Sequence, residues 1–358
     1  MISFSTLDLV ILAAFFLVII IVGFIPSTKD QKDATGFLLS GRKVGVFLFI
    51  LTNVATWYGG ILGVGEFTYQ YGLLSWFTQG LPYYIFALLF AILFAGKIRN
   101  SSLFTIPDKL EETYGKKVGL ISSVIIFLLV SPAPYLLMMG LLLQLIFGID
   151  LFVSLVVGII FSIIYLYRGG YRANIYTDAI QFFVMFIGFF IIVIVAIFSW
   201  GGIEFLQSKL PSSHLTFTGD ASPTFVFVWF LIALWTFADP GFHQRCYSAR
   251  TPNIAKYGII ISIFFWALFD FLTTTTGLYA RALLPQLDNA VLSFPMLAEK
   301  ILGSGFKGIF YAALIATILS TLNSFLFLSA TTFGRDFIAK YKNDESEENL
   351  IRYTRIGI

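Results

Sequence analysis

The stretch Thr52–Gly72 reads TNVATWYGGILGVGEFTYQYG and lies in the second long apolar segment of a 358-residue chain. It holds one carboxylate, Glu66, and four glycines within seven residues: Gly59, Gly60, Gly63 and Gly65. Each glycine costs a helix about 1 kcal/mol relative to alanine. In a bilayer, an interrupted helix is tolerated where its freed carbonyls line a cavity or bind an ion. The pattern therefore predicts a broken transmembrane helix at a cation and solute site.

The composition is that of an integral membrane protein. Hydrophobic residues make up 58% of the chain and charged residues only 12%, against about 25% charged in a soluble domain. A net charge of +3 gives no support for nucleic-acid binding. The chain has no P-loop, GxSxG, HExxH or nucleotide-binding motif, so we expect neither an enzyme nor an organic cofactor. An ion gradient is then the natural energy source.

A helix needs about 20 apolar residues to cross the hydrocarbon core. By that rule the chain has nine full spans, and a tenth begins near Leu350. The spans cover residues 7–25, 44–72, 75–97, 118–147, 151–167, 175–200, 223–246, 256–283 and 305–336.

Lysine and arginine are strongly biased to one set of loops. Of 23 such residues, 19 fall in the loops on the side of residues 26–43, including Lys29 and Lys32. The other side has four: Lys209, Arg281, Lys300 and Lys307. The positive-inside rule places the basic loops in the cytoplasm and the N-terminus outside. We expect a multi-pass protein in contact with lipid, in a bacterial inner (plasma) membrane.

The ninth span carries a polar stripe on one helical face. Its members lie at i, i+3, i+4 and i+7: Thr317, Ser320, Thr321 and Ser324. Ala313 extends the stripe, and one interpretation is a small-residue face for close helix packing. The other is that the hydroxyls, with carbonyls freed in the second span, bind a hard monovalent cation. The spacing alone favours neither.

Asp239-Pro240-Gly241 interrupts the seventh span near its cytoplasmic end, where proline removes a backbone donor and glycine loosens the chain. A second broken helix is the favoured interpretation, and a helix end is the alternative.

Asp178, Glu66 and Asp270 are carboxylates within spans, and such groups mark functional sites or structural pairs. Both roles remain open for all three.

Five stretches of this chain resemble the sodium:solute symporter family, which includes bacterial proline, pantothenate and sugar symporters and the sodium–glucose cotransporters. In order along nearly the whole chain, they are FLLSGRKVG, SLFTIPDKLEETYGKKVG, GGYRANIYTDAIQFFVMFIG, FHQRCYSARTPNIAKYGI and LIATILSTLNSFLFLSATTFGRDF. The resemblance implies an all-α, LeuT-type inverted-repeat bundle in one transporter domain. An extra N-terminal helix spans residues 7–25, the first repeat spans residues 44–200, and the second spans residues 223–358 and is incomplete.

The resemblance also implies a sodium site between the second and ninth spans. Ala55, Tyr58 and Thr317 would offer carbonyls, and Ser320 and Thr321 hydroxyls. Asp178 matches an acidic residue of the family's cytoplasmic sodium path. The solute and gate candidates are Trp57, Glu66, Gln79 and Trp235, and the hinge candidates are Gly59, Gly60, Gly63, Pro240 and Gly241.

These expectations define a sodium-coupled symporter that imports a small polar solute by alternating access, with Na⁺ as the coupling ion. Trp57 replaces a small polar or acidic residue frequent in relatives, so the solute stays open among sugars, amino acids and organic cations. The sequence ends as the tenth span begins, which indicates a truncated second repeat. The alternatives are a sensory or receptor module, a non-transporting fragment, and a passive channel or scaffold.

Overall fold

The computed structural model describes residues 2–25 and 33–358. Lys29 and Lys32, two members of the basic loop set, lie outside the described residues. Seven described helices are long and apolar enough to cross a membrane. They are Thr6–Phe24, Leu74–Asn100, Lys116–Phe147, Leu151–Trp200, Pro223–Ser248, Pro252–Leu283 and Phe306–Lys342. The predicted all-α membrane architecture is confirmed for the described ranges.

The helices of the first half begin and end as follows. They are α1 (Thr6–Phe24), α2 (Ala34–Leu39), α3 (Val46–Ala55), α4 (Ile61–Tyr71), α5 (Leu74–Gln79), α6 (Leu81–Phe90), α7 (Gly96–Asn100), α8 (Ile106–Tyr114), α9 (Lys116–Leu129), α10 (Ala133–Phe147) and α11 (Leu151–Trp200). The second predicted span is thus two short helices, α3 and α4, rather than one long helix. The fourth span is divided between α9 and α10 at Pro132, as expected for proline.

The second half continues with α12 (Ile203–Lys209), α13 (Pro223–Ile232), α14 (Pro240–Ser248), α15 (Pro252–Leu283), α16 (Ser293–Ile301), α17 (Phe306–Thr331), α18 (Lys340–Lys342) and α19 (Glu347–Gly357). A π-helix, Thr332–Ala339, joins α17 to α18. The predicted tenth span corresponds to α19, an 11-residue helix that buries Leu350, Ile351 and Thr354.

The fifth and sixth predicted spans form a single 50-residue element, α11. A straight helix of that length would measure about 75 Å, far beyond a hydrocarbon core of about 30 Å. Gly170 interrupts it with φ 55° and ψ −151°, a backbone conformation that glycine tolerates best. Residues 168–174, expected as a loop, are therefore helical on both sides of one break.

The core of the bundle is α17, in which 23 of 26 residues are buried. Against it lies α11, and small residues allow the close approach: a Cβ added at Gly188 would lie 2.3 Å from the Cβ of Ala313. The packing interpretation of the stripe therefore holds at Ala313. Ser320 and Thr321, farther along the helix, face a different neighbour.

The loops rich in lysine and arginine meet at one end of the bundle. Arg42 donates from Nη1 to the Tyr247 carbonyl (3.2 Å) and from Nη2 to the Ser102 carbonyl (2.7 Å). Lys340 donates to Asp108 there at 2.6 Å. At the opposite end, Asp8 accepts from the backbone N–H groups of Gly305 and Gly308, each at 2.8 Å. The bundle therefore has one basic face, as the loop charges predict.

Candidate functional site

The predicted break in the second span is present. The α-helix α3 ends at Ala55 and α4 begins at Ile61, so Thr56–Gly60 lie between two helices. The Thr56 and Trp57 N–H groups still bond to the Thr52 and Val54 carbonyls, at 3.2 Å each. The Ala55 and Thr56 carbonyls instead accept from outside the segment.

Both of those carbonyls accept from α17. Ser320 donates from Oγ to the Ala55 carbonyl at 2.6 Å, and Thr321 donates from Oγ1 to the Thr56 carbonyl at 2.9 Å. The same hydroxyls lie 3.2 Å and 3.3 Å from the Thr317 carbonyl. The break in one helix and the polar face of the other thus form one buried cluster of oxygens.

Gly59 allows this approach. A Cβ placed on Gly59 would stand 2.4 Å from the Cβ of Thr321 and 2.6 Å from its Oγ1. No real Cβ tolerates such a contact, so any larger residue would separate the two segments. Gly60 and Gly63 differ, because a Cβ at either would meet nothing within 4 Å.

Tyr58 lies at the break, but its contacts point away from α17. Its hydroxyl donates to the Trp266 carbonyl at 2.9 Å, and its ring centroid lies 4.4 Å from that of Phe269. Its carbonyl accepts from the Ile61 N–H at 3.0 Å. Of the two predicted carbonyl ligands of this segment, only Ala55 has a recorded contact with the α17 hydroxyls.

Asp178 is fully buried in α11 beside the oxygen cluster. The Thr52 hydroxyl and the Asn174 amide donate to its Oδ2, the amide at 3.2 Å. Asn174 also donates to Ser324 of α17 at 2.8 Å. Among the described residues, Oδ1 of Asp178 has no hydrogen-bond partner. Asp178 therefore links α3 to α11, and Asn174 extends this network to α17. Asp178 does not stand at a helix start.

Arg245 is buried at the same junction, which the sequence did not indicate. It donates from Nη1 to the Gly241 carbonyl at 2.9 Å and from Nη2 to the Thr56 hydroxyl. The guanidinium thereby joins α14 to the break in the first helix. Its position in an RCYSAR run resembles a solvated basic loop, and only the fold distinguishes it from the exposed Arg250.

The seventh span is also interrupted. After α13 the chain forms a 3₁₀ helix, Ala233–Phe237, and α14 begins at Pro240. Asp239 caps α14 by accepting from the N–H groups of Gly241 (2.6 Å) and Phe242 (3.2 Å). Proline at the first helical position needs no donor. The broken-helix interpretation is confirmed, and the hinge role of Pro240 and Gly241 stays a prediction.

A cavity of about 440 Å³ lies between the two interrupted helices. Trp57, Gln79 and Trp235 line it, together with Gly60 and Gly63. The other lining residues are Thr56, Tyr58, Val64, Tyr83, Tyr135, Met138, Asp239, Asp270 and Phe325.

Glu66 is the one solute candidate that does not line this cavity. It is half-buried on α4, and its Oε1 lies 3.4 Å from the Gln70 amide nitrogen. The cavity instead takes its carboxylates from Asp239 and Asp270, which lie far along the sequence. Tyr83 and Tyr135 were not predicted, because nothing in their sequence surroundings separates them from packing aromatics.

An all-helical bundle with two interrupted helices around a polar cavity is the architecture of a secondary transporter. A sequence model of the sodium:solute symporter family matches residues 37–358. The chain belongs to this family.

Similar proteins include sodium/glucose cotransporter 1 of Oryctolagus cuniculus, which is 23% identical over 96% of this chain and 60% of its own length. The high-affinity choline transporter 1 of Caenorhabditis elegans is 25% identical, with 98% and 66% covered. The sodium/glucose cotransporter of Vibrio parahaemolyticus is 26% identical, with 97% and 71% covered. This chain thus spans roughly two thirds of the length of these relatives.

Among solved structures, the chain resembles a Na⁺-coupled sialic acid symporter in a substrate-bound, outward-open state. The TM-score is 0.89 at 19% identity, over 99% of this chain and 80% of that one. A likeness at this identity establishes the fold, and it confirms the predicted LeuT-type helical bundle.

Proposed function

We propose that this chain forms the ion- and solute-binding core of a sodium-coupled symporter that imports a small polar solute by alternating access. The observation that carries the proposal is the direct contact between the broken helix and α17, through Ser320 with Ala55 and Thr321 with Thr56. The family membership supports the coupling ion. The relatives' names include glucose and choline, so the family alone leaves the solute open.

The donor set suits sodium as a transported ion. Hard monovalent cations prefer neutral or anionic oxygens, and this cluster offers hydroxyls and carbonyls without sulfur or imidazole. Ala55, Tyr58 and Thr317 would bind sodium through carbonyls, and Ser320 and Thr321 through hydroxyls. In the sodium-bound state, the hydroxyl protons of Ser320 and Thr321 would no longer point at the Ala55 and Thr56 carbonyls. Asp178 would receive the ion on its way to the cytoplasm.

Sodium would hold α3 and α17 together and favour an outward-open state that is ready for solute. The neighbouring cavity, with Trp57, Gln79 and Trp235 in its wall, would take that solute. One charge that crosses 100 mV gains about 2.3 kcal/mol. This free energy can sustain roughly a 50-fold concentration gradient of solute for each transported ion.

We propose the same division of the chain as the sequence indicates. Residues 7–25 precede a first repeat at residues 44–200 and a second at residues 223–358. In support, each repeat would open with an interrupted helix, α3–α4 in the first and α13–α14 in the second. The glycines of the first break, with Pro240 and Gly241 of the second, would act as hinges.

The proposed location is a bacterial inner membrane, with the N-terminus outside. In support, 19 of 23 lysines and arginines belong to the loops of one side, and the positive-inside rule assigns such loops to the cytoplasm.

The test measures thermal stability of the purified chain in sodium chloride and in potassium chloride, and uptake into proteoliposomes under a sodium gradient. A ligand that binds only the folded state raises stability with its concentration, so sodium should raise the melting temperature. A screen of sugars, amino acids and carboxylates should find uptake that requires sodium. Sodium binding without any uptake would favour a sensory module or a non-transporting fragment, and uptake without sodium dependence would favour a passive channel.

The double variant Ser320→Ala with Thr321→Ala should lose the sodium-dependent rise. Thr331→Ala is the control, because Thr331 is buried on the same helix and, among the described residues, its hydroxyl bonds only to the Phe327 carbonyl. Unchanged sodium affinity in the double variant would refute the site.

A further inference from the structure

The wall of the central cavity combines aromatic rings with carboxylates. Six aromatic side chains line it: Trp57, Tyr58, Tyr83, Tyr135, Trp235 and Phe325. Asp239 and Asp270 also line it, and the described residues of its wall include no lysine, arginine or histidine. The two acids have different surroundings, and the difference indicates what the cavity binds.

Both carboxylate oxygens of Asp239 already accept hydrogen bonds from residues close to it in the chain. Its Oδ1 accepts from the N–H groups of Gly241 and Phe242 at the start of α14. Its Oδ2 accepts from the indole Nε1 of Trp235 at 3.0 Å. Arg245 of the same helix lies nearby and donates to the Gly241 carbonyl. We therefore assign Asp239 a structural role, in which it also orients Trp235.

Asp270 does not cap a helix as Asp239 does. It lies near the middle of α15, and the Tyr84 hydroxyl donates to its Oδ2, with the Tyr58 hydroxyl also against it. In residues 2–25 and 33–358 it forms no ion pair, and its side chain stays partly open to the cavity. An ionised carboxylate at membrane depth is costly without a positive partner.

The rings around Asp270 suit a positive partner as well. A cation within about 6 Å of an aromatic face is attracted by the ring, most strongly by tryptophan, and more so when it is desolvated. Trp57 is held in place by edge contacts with Tyr83 and Phe242, at centroid distances of 5.1 Å and 5.5 Å. Cages of such aromatic rings recognise quaternary ammonium groups.

We infer that the solute is an organic cation with an ammonium group, bound with Asp270 as its counter-ion and Trp57 and Trp235 as its aromatic wall. This inference rests on the proposed transport function and specifies the solute class. A neutral sugar would supply no positive partner for Asp270. A carboxylate solute would add a like charge to the cavity, which disfavours it.

The first test needs no substitution. Radiolabelled choline is bound to the purified chain in sodium chloride and is competed with unlabelled choline, with its uncharged carbon isostere dimethylbutanol, or with glucose. We expect dimethylbutanol to compete about tenfold or more weakly than choline, because the two share a shape and differ in charge. Equal competition by the two, or stronger binding of glucose, would overturn the inference.

The second test removes the charge at constant size. Asp270→Asn should weaken choline binding by about tenfold or more, while Asp220→Asn, an exposed carboxylate outside this cavity, should leave it unchanged. Trp235→Leu should also weaken choline binding, and Trp235→Phe should restore part of it. Choline binding that survives in Asp270→Asn would contradict the counter-ion role.

Sodium-dependent stabilisation separates this inference from the proposed function. Asp270→Asn should keep the sodium-dependent rise in melting temperature, since Asp270 lies outside the oxygen cluster, and this also shows that the variant folds. If sodium stabilises the chain and no organic cation binds, the inference fails and the proposed function stands. If choline binds and sodium has no effect, the proposed function fails.

Discussion

Gly59 and Gly60 are neighbours in the sequence with opposite surroundings. A methyl group at Gly59 would collide with the side chain of Thr321, whereas one at Gly60 would meet nothing within 4 Å. Gly60 lines the cavity instead. Two identical residues therefore have separate roles: one permits the contact between helices, and the other leaves space in the cavity. Alanine substitutions at the two positions test this difference directly.

Gly59→Ala should lower stability by about 1–3 kcal/mol, because its methyl group overpacks the contact with α17. It should also abolish the sodium-dependent rise in melting temperature, since Ala55 and Ser320 would be forced apart. Gly60→Ala is the matched control and should keep both properties. Melting curves of the two variants in sodium and potassium chloride provide the measurement. Equal behaviour of the two variants would contradict the proposed role of Gly59.

At the scale of elements, a buried ionic cluster fastens α8 to the end of α17. Asp108 accepts from Arg335 of the π-helix at 2.9 Å and from Lys340 of α18 at 2.6 Å. Burial opposes ionisation of Asp108, but the charges of Arg335 and then Lys340 outweigh it, so the pKa of Asp108 is well below its usual range. The cluster therefore stabilises the basic end of the bundle at neutral pH.

Asp108→Asn should destabilise the protein by about 3 kcal/mol, because two buried cations lose a shared partner while Asp336 and Glu111 remain. Glu112→Gln on the same helix is the control: its ion pair with Lys109 is exposed, and such pairs contribute about 0–1 kcal/mol. Thermal unfolding of both variants provides the measurement. A loss no larger than that of Glu112→Gln would contradict the role assigned to the cluster.

The stability that this ionic cluster contributes should change with pH in one predictable direction. A carboxyl with a lowered pKa in the folded state stabilises it fully above the unfolded pKa, which is about 3.9 for aspartate. That stabilisation is lost as the pH falls through the folded value. The part of the stability difference between the unaltered chain and Asp108→Asn that comes from the ionisation of Asp108 should thus be fully present above about pH 5 and be lost only in stronger acid. A difference that fails to narrow even in strong acid would show that Asp108 has an ordinary pKa, because equal pKa values in the folded and unfolded states contribute no pH dependence.

The helices and their breaks show which features of the fold can be predicted from the sequence and which cannot. Glycines at residues 59–65 and the Asp239-Pro240-Gly241 triplet indicate both interruptions, because breaks have local chemical causes. The stripe from Thr317 to Ser324 indicates a polar face, but only packing shows that Ala313 meets Gly188 while Ser320 and Thr321 meet the break. Asp270 and Tyr84 are 186 residues apart, and no local pattern pairs them. For the same reason, the sequence does not reveal that Asp270 lines the cavity while Glu66 does not, or that Arg245 is buried at the break.

For the whole molecule, orientation decides which end of the bundle faces the cytoplasm. The proposed orientation puts α12 outside and α8 in the cytoplasm. The sole cysteine, Cys246, is fully buried, so the unaltered chain should react little with a maleimide. Introduced cysteines at exposed positions can therefore report the side of the membrane directly.

Ser208→Cys lies on α12 and Thr113→Cys on α8, and both positions are exposed. In intact cells, a membrane-impermeant maleimide should label Ser208→Cys and leave Thr113→Cys unlabelled until the membrane is permeabilised. The unaltered chain should stay unlabelled in both conditions, which controls for Cys246. The reversed pattern would place the basic face outside. It would also reverse the role of Asp178, which would then lie on the path by which sodium enters rather than leaves.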